Sequence, residues 1–315
     1  MQGGGEVAIP TQATFWDTFL RFSRGNANRR LIESFLFRYF LGYARSPARS
    51  SAVKRRAMLR SVDVEEVFTF LSERARAPAS SPALRTYATR VWTALLAEIG
   101  HVFGRFDASK PTKRTFRAFV TNYVRSRDTV VSFNYDTVFE ASLPSHKWHY
   151  EEVGDRDRGV RLLKPHGSIN WEDGDVITVD ENPIQCVVVA PTHLKFVQTQ
   201  EANAANTVGY LDRSTQINKI WARMEKEMRQ AKALVFIGYS FPVADLYFSS
   251  VLRSVLADRG TAPGIAIVNP DAVSIQTRLR QRFPLGQVVL RYDLGNFVQS
   301  TRTQLLKELD SRSAS

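Results

Sequence analysis

Apolar positions along the chain follow two different rhythms. From about residue 12 to 126 they recur every three or four places; after that they come in short unbroken runs. In "TQATFWDTFLRFSR", Phe15, Phe19 and Phe22 share one helical face, with Thr11 as a candidate N-cap. "ANRRLIESFLFRYFLGYA" reads as a second helix ending near Gly42. "SVDVEEVFTFLSERARA" starts on Ser61 or Asp63 and sets Val67, Phe70 and Leu71 on one face. "SPALRTYATRVWTALLAEIGHVF" opens on Ser81-Pro82, and "KPTKRTFRAFVTNYVRSR" is a fifth helix. The aromatic stripes of this module read as packing faces.

The second rhythm alternates strands with helices. "DTVVSFNYD" and "GVRLLKPHGS" are β-branched or apolar runs with polar ends. "DVITVD" and "IQCVVVAP" read as a pair of strands resembling a hairpin, and "NTVGYLDRSTQINKIWARMEKEMRQA" as a long helix. Strand "KALVFIGYSFP", helix "VADLYFSSVLRSVLADRG", strand "PGIAIVNPD", helix "DAVSIQTRLRQRF", strand "GQVVLRY" and helix "LGNFVQSTRTQLLKELDS" complete the series. Such alternation predicts an α/β fold, a Rossmann-like parallel sheet with helices on both faces. The expectation is one domain over residues 1–315 with a large helical insertion at about 12–126, and a frayed tail at 311–315.

Composition narrows the class. Hydrophobic residues make up 43% of the 315, enough for a sizeable core. No apolar run approaches the roughly 20 residues of a membrane span. Met1 to Glu6 has neither a basic start nor an apolar stretch, so a soluble cytoplasmic protein is expected. Cys186 is the one cysteine, which excludes an internal disulfide and a zinc site built on paired cysteines. The net charge of +12 is partly concentrated between Tyr43 and Ser61, where Arg45, Arg49, Lys54, Arg55, Arg56 and Arg60 lie. This is either a solvated basic segment or a contact for an acidic partner, a nucleotide or nucleic acid; no nucleic-acid motif accompanies it. "HKWHY" has two histidines without an acid or thiol at metal spacing and reads as a solvated loop.

Four strands end alike: in Ser132-Phe133-Asn134-Tyr135-Asp136, Pro165-His166-Gly167-Ser168, Gly238-Tyr239-Ser240 and Asn269-Pro270-Asp271. In open parallel sheets, ligands bind beyond the carboxyl ends of the strands, where backbone amides of following helices face an anion. Gly238 lets backbone approach a phosphate, and Ser240 can bond it or cap the next helix. Asn269 or Asp271 is placed for a ribose hydroxyl. Asn134 and His166 add an amide and an imidazole. Together they describe a dinucleotide site.

"FNYDTVFE", "LLKPHGSINW", "LVFIGYSFPVADLYF" and "IAIVNPD" resemble, in order, the motifs of the sirtuin-like family, in its bacterial NAD-consuming branch. The resemblance covers about residues 128 to 290. It implies that Asn134 lies beside the nicotinamide ribose, Asp136 near the carboxamide, and His166 on the ribose hydroxyls as a general base. It likewise implies phosphate contact from Gly238 and Ser240 and an adenosine-ribose contact from Asn269. Sirtuin deacylases hold zinc with four cysteines, and one cysteine cannot do so. The resemblance therefore implies a zinc-free NAD glycohydrolase with NAD as substrate, an antiviral or abortive-infection effector. An activating protein partner or homo-oligomer would control it, and no membrane is involved. A non-catalytic NAD or ADP-ribose sensor is the alternative; a deacylase or ADP-ribosyltransferase comes after it. The family opens with an apolar strand and a glycine loop. Gly3, Gly4 and Gly5 are either the remnant of that loop, with Gly3 and Gly5 as candidate phosphate contacts, or a flexible tail; a truncated start is one expectation.

Overall fold

The computed structural model describes residues 15–23, 27–42, 52–77, 80–103, 110–144, 147–151, 153, 159–172, 177–180, 186–188, 214–242, 245–258 and 262–311. In chain order the helices α1 (Phe15–Phe22), α2 (Ala27–Tyr39), α3 (Ala52–Leu59), α4 (Val64–Arg76), α5 (Pro82–Phe103) and α6 (Lys110–Tyr123) come first. Strands β1 (Thr129–Val131), β2 (Trp148–Tyr150), β3 (Val160–Leu163), β4 (Gly167–Glu172), β5 (Thr178–Val179) and β6 (Cys186–Val188) follow. The rest are α7 (Ser214–Gln230), β7 (Ala233–Ile237), α8 (Leu246–Ala257), β8 (Gly264–Val268), α9 (Ala272–Arg282), β9 (Val288–Arg291), α10 (Leu294–Phe297) and α11 (Arg302–Ser311). The fold is mixed α/β with parallel sheets, and a helical region precedes the strands, as the two rhythms predict.

The chain divides into two compact units. The first holds Met1–Ser109, Phe133–Thr137 and His166–Ile217; the second holds Lys110–Ser132, Val138–Pro165 and Asn218–Ser315.

The first unit is built on the predicted helical faces. Phe19, Ile32, Phe35, Leu36, Val67, Phe68, Leu71, Val91 and Leu95 form its buried core. Asp63 is the cap of α4, its carboxylate accepting from Glu65 N at 2.7 Å. Ser81 Oγ accepts from Leu84 N at 3.3 Å at the start of α5. The β4 strand pairs antiparallel with both β5 and β6. This corrects the expected hairpin: "DVITVD" and "IQCVVVAP" flank a strand made of "GSINWE" instead of each other. Antiparallel partners need only matching ladders, and the buried Trp171 on β4 gives the central strand its apolar anchor.

The second unit contains two three-stranded parallel sheets, ordered β1-β3-β2 and β7-β8-β9. Ala233, Ile237, Ala266, Val268 and Val289 point to one face of the latter, against Phe119 and Tyr123 of α6, Phe297 of α10 and Leu305 and Leu309 of α11. On the other face Phe236 meets Phe248 of α8. Helices thus cover both faces. "HKWHY" is partly strand: β2 pairs with β3, and His149 is buried, with Nε2 3.2 Å from Glu151 Oε2. Alternation had no room to show in three residues. The closing helix breaks between α10 and α11. Thr301 and Gln304 form a capping box there, Thr301 N donating to Gln304 Oε1 at 2.7 Å and Gln304 N to Thr301 Oγ1 at 3.3 Å.

Candidate functional site

The first unit brings the Asn134 loop onto the strand that His166 leads into. Gly167 takes φ +80°, which turns the chain from His166 into β4. Ile169 N then donates to the carbonyl of Tyr135 at 3.0 Å. Ser168 Oγ donates to Asn170 Oδ1 at 2.6 Å and lies 3.4 Å from the same Tyr135 carbonyl. The Tyr135 ring stands edge-on to Phe103 of α5 at 5.6 Å, and Tyr135 and Ile169 pack on the helical core. Asn134 is exposed, Asp136 is buried and His166 is half-buried. The imidazole faces the ring of Phe133 at 5.1 Å and that of Tyr135 at 6.4 Å. The loop that carries Asn134 therefore lies against the imidazole of His166 through the rings of Phe133 and Tyr135. A neutral imidazole can accept a proton, and an amide can both donate and accept.

The second unit brings together Gly238, Ser240 and Asn269. Parallel pairing of β7 with β8 ends at Ile237 and Val268, and Gly238 N donates to Val268 O at 2.9 Å. Gly238 (φ +69°) and Phe241 (φ +53°) both lie in the left-handed region. Between them Tyr239 turns inward, its hydroxyl donating to Asp245, while Ser240 stays exposed. Asp245, which also accepts from Phe248 N at 3.3 Å, is the N-cap of α8. The carbonyl of Ser240 is held by Arg278 Nη2 of α9 at 2.9 Å. Asn269 is buried, and its Oδ1 accepts from Asp271 N at 2.9 Å. That turn leaves the Asn269 amide NH2 as the group able to donate to a hydroxyl.

Residues 128–284 match the family model of the SIR2-like domain. The chain carries a SIR2-like domain. No curated protein matches the sequence. The SIR2-like span contains Asn134, Asp136, His166, Gly238, Ser240 and Asn269, and it fits an NAD-related function. Gly3 and Gly5 lie outside the described residues. Among the described residues, no group of three His, Cys, Asp or Glu side chains could hold a metal, and no helix is long and apolar enough to cross a membrane.

Sequence reasoning missed four contributors. Arg278 carries no signal in sequence, because the contact joins residues 38 apart. Phe133 and Tyr135 were legible only as neighbours of Asn134. Trp221 Nε1 donates to the carbonyl of Pro165 at 3.1 Å, tying down the residue before His166. The ring of Tyr247 stands edge-on to Trp221 at 4.5 Å; burial, then the Glu225 carboxylate, raises its phenol above the usual range.

Proposed function

We propose that this protein is an NAD glycohydrolase, breaking the bond between nicotinamide and ribose. The observation that carries the reading is the Tyr135–Ile169 hydrogen bond with its ring contacts, which bring the Asn134 loop and His166 together. The reaction passes through an oxocarbenium-like sugar, and the leaving group is already cationic, so strong acid catalysis is unnecessary. In the proposed mechanism Asn134 orients the ribose and the water. His166 bonds a ribose hydroxyl and takes the proton of that water as its oxygen attaches to the anomeric carbon. The carbon–nitrogen bond breaks, and its electron pair returns to the ring nitrogen of nicotinamide. Asp136 binds the carboxamide, Gly238 and Ser240 the phosphates, and Asn269 the adenosine ribose.

NAD is the substrate, and the single cysteine leaves no four-thiolate zinc module to serve deacylation. The resemblance of its four sequence motifs to the bacterial NAD-consuming branch is what favours an antiviral or abortive-infection role in the cytoplasm, under control of a partner protein or self-association. The test is to incubate the purified chain with NAD and follow nicotinamide by chromatography. Stoichiometric release of nicotinamide and ADP-ribose is expected. Saturable NAD binding without release would replace the enzyme by a sensing subunit; loss of an acyl group or labelling of a protein acceptor would replace hydrolysis by transfer.

A further inference from the structure

We propose that Phe133 is a positioning residue for His166. The inference rests on the glycohydrolase reading, since it concerns the base of that reaction. A histidine ring turns about a broad sp³–sp² torsion, so its own rotamer preference leaves the direction of its nitrogens loosely set. Here two aromatic rings stand against the imidazole. Phe133 lies 5.1 Å away at an interplanar angle of 57°, and Tyr135 lies 6.4 Å away at 41°. Both distances fall in the range of favourable ring pairs, about 4.5–7 Å.

Tyr135 is anchored by its carbonyl to β4 and by its ring to Phe103 and the helical core. It is part of the framework. Phe133 is half-buried, and its ring is the nearer of the two to the imidazole. Asn134 sits between the two in sequence. The same short loop therefore carries the amide proposed to orient the ribose and the ring that orients the base.

The experiment compares Phe133→Leu and Phe133→Tyr with the parent. Leucine keeps an apolar side chain and so keeps the fold; tyrosine restores the ring. Misplacing a catalytic group by about 1 Å can cost on the order of a hundredfold in rate. Phe133→Leu should lower kcat by about tenfold or more while KM stays within about twofold, the pattern of an interaction made only in the transition state. Phe133→Tyr should recover most of kcat. Independently of activity, the carbon-bound proton resonances of the His166 ring, assigned with His166→Gln, should move in Phe133→Leu as the ring current is lost. An unchanged kcat in Phe133→Leu, equal impairment in Phe133→Tyr, or unmoved His166 resonances would each overturn the positioning role in an active enzyme. If the parent releases no nicotinamide, the glycohydrolase reading fails and takes the catalytic part of this inference with it; moved resonances would still uphold the ring contact.

Discussion

The ammonium of Lys164 donates to Glu140 Oε1 at 3.0 Å, and the lysine is wholly buried. The hydroxyl of Tyr150 donates to the same oxygen at 2.7 Å. Two charges have been taken out of water and compensate each other. Breaking such a pair by removing one partner typically costs about 3–5 kcal/mol, because the survivor is left charged and buried. Lys164→Met should therefore lower the free energy of urea unfolding by about that amount. Adding Glu140→Gln, which removes the stranded charge and keeps an acceptor for Tyr150, should recover part of the loss. A single-mutant cost below about 1 kcal/mol would be the behaviour of a solvated pair, not of this one.

His166→Ala and Asn134→Ala should each abolish most nicotinamide release. General-base assistance is typically worth about 10²–10⁴-fold. Asn134 is exposed and His166 half-buried, so melting curves should stay close to the parent. Parental turnover in purified His166→Ala would dismiss the imidazole as base.

Gly238→Ala isolates backbone strain. At φ +69° a Cβ would meet no atom within 4 Å, so crowding contributes nothing. The left-handed conformation alone costs an L-residue roughly 1–2 kcal/mol. Thermal unfolding should report a loss of that size; no loss would mean the turn relaxes to another conformation.

Arg278→Ala should loosen the Ser240 loop without touching the base. The expected result is a raised KM for NAD with kcat retained, since the arginine holds the Ser240 carbonyl. A fall in kcat at constant KM would contradict a purely loop-holding role.

Tyr123 carries a pH dependence. Burial raises its phenol above the usual value, partly opposed by the hydrogen bond with Ser300. A phenol whose folded pKa exceeds the unfolded value of about 10 favours the folded state below that pH; the contribution disappears as pH rises through the folded pKa. Its hydroxyl also donates to Phe297 O at 2.9 Å, a bond worth about 0.5–1.5 kcal/mol. Tyr123→Phe should thus be less stable than the parent at neutral pH, with the gap closing in strong alkali. Denaturation midpoints measured across that range check the sign.

Some of the architecture was legible residue by residue. Asp63 and Ser81 are the caps their positions announced, and the polar ends at 132–136, 238–240 and 269–271 follow β1, β7 and β8, whereas Gly167 and Ser168, read as the end of one strand, open the next, β4. These are short-range matters, settled by a few dihedrals and a neighbouring amide. His149 was misread because three strand residues are too few to display a period, and its burial comes from pairing with β3.

By itself, the order of amino acids determined the helical and strand rhythms, the polar strand tips with Asn134 and His166, and the shortage of thiols. Periodicity and local chemistry carry that information because each residue's preference is expressed within its own turn or pleat. Only the tertiary structure decided that β4 lies between β5 and β6, that Lys164 is buried against Glu140, that Arg278 grips the Ser240 loop and that two aromatic rings face the imidazole of His166. Those outcomes depend on which distant surfaces exclude water together, and no single segment encodes that choice.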